Sequence, residues 1–265
     1  METDAGLVKS PPWPARAAAG MRRAVGAMTD LLYPPTCLGC NLPLAVPDAL
    51  CPACFSGLKP ITAPLCPRLG IPFAASLGAG AVSAEAAADP PPFGRARAAV
   101  VYNDGARALV GRLKYGDRPE LARFCARMMA GAGHELWTGD AVLVPVPLHR
   151  RRLLRRRYNQ SAELARALSA VTGLRVEAGA VVRHRETRQQ VGLSGDARQR
   201  NVAGAFAVEP DRLSRIAGRR LVVVDDVYTT GATAKAVTRA LLRAGAAGVD
   251  VVTFARVVIG DDLPI

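Results

Sequence analysis

The residues with the clearest chemical potential run from Leu221 to Thr233 and read LVVVDDVYTTGAT. An apolar, β-branched stretch ends in two adjacent carboxylates, Asp225 and Asp226. A short loop carrying the hydroxyls of Thr229, Thr230 and Thr233 then leads into a helix at Ala232. Gly231 lets the backbone come close to an anion, and the unpaired amides of a helix start converge on one point. Carboxylates repel phosphate, so Asp225 and Asp226 suit the hydroxyls of a ribose, or a Mg²⁺ bridging sugar and pyrophosphate. A strand, an acid pair, a hydroxyl loop and a helix together fit a phosphorylated ribose. The chain has no GxxxxGK[ST] run, which argues against nucleotide hydrolysis of the P-loop type.

A second loop, Val144-Pro145-Val146-Pro147-Leu148, follows a candidate strand. Its prolines predict a fixed turn, able to include a cis bond and to present backbone amides around Val146 and Pro147. Six arginines in eight residues follow at Arg150–Arg157, with Tyr158 the one aromatic beside them. Arg151, Arg152, Arg155 and Arg156 are candidates for gripping pyrophosphate or a longer polyanion, since guanidinium forks match phosphate oxygens. The alternative is a rigid turn before a solvated basic helix. Of the formal net charge of +13, most sits between Leu148 and Arg220, where 17 arginines face six acids. Charge so concentrated attracts nucleic acid, pyrophosphate or an acidic partner, unless it only furnishes a solvated face.

Cys37, Cys40, Cys51 and Cys54 spell two CxxC pairs separated by ten residues. Two tight knuckles presenting four thiolates predict a closed, structural zinc site, and metal binding would then fold a segment with little apolar material of its own. Disulfides or unrelated buried thiols are the other readings, the first disfavoured in a reducing compartment. Cys66 and Cys125 have no CxxC mate and read as small core residues.

These groups need a scaffold. Residues 1–15 are Pro-rich, and Arg16–Leu32 has helical spacing before Pro34 and Pro35 stop it. Gly, Ala and Pro dominate 78–92 and read as a linker. Thereafter strands are expected at 98–102, 141–146, 221–225 and 249–257, with helices at 106–113, 120–130, 160–171 and 232–243. The alternation implies right-handed βαβ crossovers and a parallel sheet, and no internal repeat is evident. The expected organisation is an N-terminal extension (1–33), a four-cysteine module (34–77), a linker (78–93) and an α/β domain (94–265). No apolar run approaches the ~20 residues of a membrane span, and the N-terminus lacks a secretory pattern. Cytoplasmic residence is therefore expected.

Taken together, the blocks resemble the ComF/GntX family of phosphoribosyltransferase-like proteins linked to DNA uptake. The resemblance rests on Pro34-Pro35-Thr36-Cys37, Leu113-Lys114-Tyr115, Pro145-Val146-Pro147-Leu148 and Tyr158-Asn159-Gln160. It continues through Thr187, Gln190, Leu193, Arg198, Asn201 and Ala205-Phe206 to the Asp225–Thr233 loop. It implies a type I phosphoribosyltransferase-like parallel sheet flanked by helices, with a small N-terminal four-cysteine zinc module. It also implies phosphoribosyl pyrophosphate (PRPP) with Mg²⁺ as ligand, with Asp225 and Asp226 as the catalytic pair and Thr229, Thr230, Gly231, Ala232 and Thr233 on the phosphate. Single-stranded DNA and a DNA-uptake or helicase-like protein are the implied partners. Two departures stand out. Cys66 is followed by Leu69 where a further cysteine doublet would continue, and Arg156-Arg157 replaces an Arg-Gly pair ahead of Tyr158. Two functions follow: a DNA-utilisation factor that binds PRPP or a nucleic-acid end, or a working transferase that passes ribose 5-phosphate to a small base or amine.

Overall fold

A computed structural model describes residues 34–78, 80–115, 119–156, 158–185 and 200–258. In chain order these form α1 (Pro52–Ser56), α2 (Ala84–Ala88), β1 (Ala96–Val101), α3 (Asp104–Tyr115), α4 (Pro119–Ala132), β2 (Val142–Pro145), α5 (Arg150–Arg156) and α6 (Gln160–Thr172). They continue with β3 (Arg175–Val176), β4 (Val181–Arg183), β5 (Phe206–Val208), α7 (Leu213–Ile216), β6 (Arg220–Tyr228), α8 (Ala232–Arg243) and β7 (Gly248–Arg256).

Five strands make one parallel sheet in the order β1-β7-β6-β2-β3. The near-continuous apolar runs of β6 and β7 suit strands covered on both faces, and successive side chains divide between those faces. Val222 and Val224 enter a core built with α3, α4 and α6, whereas Leu221 and Val223 enter a second core with α8. Helix α8 spans 232–243, as its spacing predicts, and α6 is capped by Asn159, whose side chain accepts from the Ser161 amide. The antiparallel pair β4–β5, not anticipated from the sequence, packs on the α8 side.

Ahead of the sheet lie two knuckles of like construction, which overturns the expectation that the chain holds no repeat. In the first, the Cys37 amide donates to Leu42, Asn41 to Cys37 and Leu44 to Pro35; in the second, Cys66 donates to Ile71, Gly70 to Cys66 and Phe73 to Pro64. Each partner sits 29 residues beyond its counterpart. Bridges Thr36–Pro43 and Leu65–Pro72 repeat in the same register. Each knuckle then closes on a five-residue helix, α1 capped by the Cys51 side chain and α2 by that of Ser83. Residues 83–88, expected within a linker, thus form a helix whose cap bonds Cys66. The knuckles dock on opposite faces of the sheet. Leu38 and Leu58 join the core of α3 and α4, while Cys66, Leu69 and Ala86 join that of α8.

The helix expected at 16–32, Arg157, and the Thr187, Gln190, Leu193 and Arg198 block lie outside the described residues.

Candidate functional site

Cys37, Cys40, Cys51 and Cys54 bring their sulfurs within 4.8 Å of one another, with Cys40 and Cys51 3.7 Å apart. Zinc–sulfur bonds of about 2.3 Å in a tetrahedron place sulfurs nearly that far apart, so the quartet fits a structural zinc ion. Burial works to raise the Cys37 thiol, but the amides of Cys51, Cys40 and Gly39 overcome it and bring it down to about 6, favouring the thiolate. Gly39 is a requirement of the site: a Cβ there would stand 2.8 Å from Cys54 Sγ.

The second knuckle offers Cys66, Leu69, Ser83 and Ala86 at the corresponding places. This set does not fit a metal. One thiol remains, two ligand positions are buried apolar side chains, and Gly39 is replaced by Arg68. Cys66 Sγ instead accepts from the Leu69 and Ser83 amides and the Ser83 hydroxyl at 3.3–3.5 Å. Burying Leu69 contributes about 1.5–3 kcal/mol of the stability a metal would otherwise supply.

At the C-terminal ends of the strands lies a cleft of about 730 Å³. Asp225, Asp226, Thr229, Gly231, Ala232 and Thr233 line it from β6 and the start of α8, and Val146 and Pro147 from the loop after β2. Arg152 and Arg156 reach it from α5. Thr230, Arg151 and Tyr158 do not line it, and the side chain of Arg155 lies outside the described atoms. The proline loop is used differently from the expectation. Neither of its prolines is cis, the described cis bond being Ala63–Pro64. The Val146 amide, rather than facing a ligand, donates to Val224 at 3.0 Å. The Val146 carbonyl accepts from Asn159 Nδ2, tying this loop to the cap of α6.

The two acids differ. The Asp225 carboxylate accepts from Ser161 Oγ at 2.9 Å and from the Asp226 amide, while Asp226 pairs with Lys114 Nζ at 3.4 Å. Burial, joined by the charge of Asp226, pushes Asp225 up to about 7, against the pull of Ser161 and Lys114. Two neighbouring acids of which one is fully buried cannot both hold their charge easily, and Ser161 and Lys114 offset part of that cost.

Tyr102, Arg107, Lys114, Gln160, Ser161, Arg183 and Thr253 also line the cleft, none of them singled out as site residues from the sequence. Arg183 is buried with its guanidinium 5.3 Å over Phe206, and burial together with Arg152 lowers it to about 10. Lys114 and Gln160 stand in sequence blocks that carry the family resemblance; the rest are gathered by topology. At Gly231 the backbone is left-handed (φ 71°), and a Cβ there would lie 2.1 Å from the Tyr228 hydroxyl. The phosphate-type loop therefore folds over its own tyrosine, and only glycine fits.

Among the described residues no helix is long and apolar enough to cross a membrane. A double zinc ribbon family model matches residues 28–86 and a phosphoribosyl transferase domain model residues 160–262. A solved phosphoribosyltransferase from Corynebacterium diphtheriae aligns with 20% identity over 57% of this chain and 72% of its own, TM-score 0.31. The DNA utilization protein YhgH of Salmonella typhimurium is 35% identical over 83% of this chain and 96% of its own length. Competence protein F of Haemophilus influenzae is 31% identical over 58% of this chain and 69% of its own. With its paired ribbons, its parallel sheet and relatives of this similarity over most of their length, the chain belongs to the ComF/GntX family.

Proposed function

We propose that this protein binds PRPP with Mg²⁺ in the cleft and single-stranded DNA along the adjoining basic helix, acting in DNA uptake or utilisation. One observation carries the reading: an acid pair, a glycine-bent hydroxyl loop at a helix start and several cations share one cleft. The 5′-phosphate sits at Thr229–Thr233, where the amides at the start of α8 and the threonine hydroxyls supply donors. The ribose hydroxyls face Asp225 and Asp226. Mg²⁺ would supply positive charge against the pyrophosphate, and Asp225 and Asp226 are the residues that would hold it. Lys114, Arg152, Arg156 and Arg183 are the cations within reach of the pyrophosphate. The names of the relatives, DNA utilization and competence proteins, support the cellular role. Arg150 and Arg151 are exposed, so α5 turns a basic side to solvent, as a surface that meets a polyanion requires.

Calorimetry tests the pocket. Asp225→Asn with Asp226→Asn is expected to weaken PRPP·Mg²⁺ at least tenfold while changing inorganic phosphate less than twofold; equal losses would assign the acids to folding. Gel shifts test the basic helix. Replacing Arg151, Arg152, Arg155 and Arg156 by Ala should abolish single-strand binding, whose salt slope reflects released counterions. Retained DNA affinity in that variant would refute the DNA interface.

The second reading is a working transferase. It is favoured by the Ser161–Asp225 and Lys114–Asp226 contacts, which equip both acids for chemistry at the sugar. Release of pyrophosphate from PRPP in the presence of a candidate base would select it.

A further inference from the structure

The metal-free knuckle and the phosphate-type loop meet at one buried arginine. Arg256 ends β7 and is 1% exposed. Its Nη1 donates to the carbonyl of Leu69 at 2.7 Å, and its Nη2 to the Glu85 carboxylate at 3.1 and 3.3 Å. Both acceptors belong to the second knuckle: Leu69 stands where Cys40 stands in the first, and Glu85 lies in the first turn of α2. A buried guanidinium without such partners would be strongly unfavourable, so the knuckle fixes where Arg256 lies.

Arg256 in turn fixes Tyr228. Its guanidinium carbon is 4.4 Å from the tyrosine ring centroid, a cation–π contact out of water. Phe93 meets the same ring edge-on at 6.3 Å. Tyr228 is the last residue of β6, and the turn that follows wraps over its hydroxyl at Gly231. A second tie runs in parallel: Lys235, in the first turn of α8, donates to Asp89 at 2.6 Å. The contacts thus run without a gap from the knuckle through Arg256 and Tyr228 to Gly231, the residue that opens α8.

We propose that the second knuckle, having no metal to hold, serves as a buttress for the phosphate loop, with Arg256 as its positioning residue. Arg256 does not line the cleft. It acts by holding the tyrosine on which the loop is moulded, so that the loop amides stand ready before an anion arrives. The site assignment of that anion rests on the reading given under Proposed function; the mechanical link does not.

Two measurements on the full chain separate the link from that reading. The first is amide hydrogen exchange in the ligand-free protein, comparing wild type with Arg256→Met and with the milder Glu85→Gln. Exchange at Tyr228–Lys235 is expected to accelerate at least tenfold in Arg256→Met and two- to fivefold in Glu85→Gln, with Val142–Val146 unchanged. Unchanged exchange at the loop, or acceleration spread evenly over the sheet, overturns the buttress. Where Arg256→Met fails to fold, Glu85→Gln decides alone. The second is calorimetry with ribose 5-phosphate and, separately, pyrophosphate with Mg²⁺. A buttress predicts at least tenfold weaker ribose 5-phosphate in Arg256→Met and pyrophosphate within twofold; a merely structural role lowers both alike and overturns the proposal. If wild type binds neither ligand while loop exchange still responds, the buttress stands and the phosphate assignment falls.

Discussion

The two knuckles share a backbone path and differ in what closes them. The first gathers four sulfurs around a zinc position and docks on the face covered by α3 and α4. There the Asn103 amide nitrogen donates to Gly57, Arg112 to Leu38, and Arg123 grips Asp48 with two bonds. The second keeps one of the four sulfurs, fills the ligand space with Leu69 and Ala86, and docks on the opposite face through Arg256 and Lys235. The difference shows that a ribbon needs its metal only while it has no other source of order. Once a knuckle is pressed against a sheet and sewn to it by buried polar contacts, apolar burial can take over the closing role.

The largest effect follows from removing the zinc. Chelation, or Cys51→Ser, should take the metal content from one per chain to none and open residues 34–58 to protease, while 64–89 stays resistant. Isolated zinc-finger peptides owe about 10–16 kcal/mol to their metal; here the docking of Leu38 and Leu58 retains some of that order. Simultaneous cleavage in both knuckles would erase the distinction between them. A metal content of zero in protein prepared without chelator would remove the zinc site itself.

A smaller but more pointed effect comes from building a quartet in the second knuckle. The variant Arg68→Gly, Leu69→Cys, Ser83→Cys, Ala86→Cys should bind a second zinc, read as two metal ions per chain by elemental analysis. The glycine is part of the design, because the counterpart of Gly39 must make room for a sulfur. A content that stays at one would mean that the two backbones, despite their matched hydrogen bonds, do not offer the same tetrahedron.

The smallest effect concerns the cleft at the C-terminal ends of the strands. Asp225 titrates at about 7 in the folded chain, from an ordinary 3.8, because burial and Asp226 disfavour its charge. The folded state therefore binds more protons than the unfolded between those values, so stability falls as pH rises from about 4 to 7 and is level above. Asp225→Asn should remove that slope, leaving the urea-melt stability level in this range of pH. An unaltered pH profile would show that Asp225 titrates alike in the folded and unfolded chain.

How much of this was legible follows from how local each signal is. The strand Arg220–Tyr228, the acid pair and helix α8 stand together in sequence, so apolar run, glycine and helical spacing sufficed to find them. The hairpin of β4 and β5 offers three residues a side with a long excursion between, and pairing across such a gap leaves no local trace. Arg107 and Arg183 reach the cleft from separate elements, which only topology joins. The second knuckle was hidden for another reason: only one of its four corresponding positions is a cysteine, so CxxC spacing gives no signal there. Its trace lay in the prolines, for PTCLGCNLPL at 35–44 and PLCPRLGIPF at 64–73 agree at both prolines and the first cysteine.

The apolar filling of that knuckle also stands as a barrier to acquiring a metal one residue at a time. A closed zinc site rewards the chain only when all four ligands are present, and three of them are missing here. A single substitution, Leu69→Cys for instance, would exchange a well-packed side chain for a smaller thiol and gain no ion in return. Each step is uphill until the last, whereas each contact added around Arg256 deepens the commitment. The same packing that makes the absence of a metal tolerable here also bars the stepwise way to one.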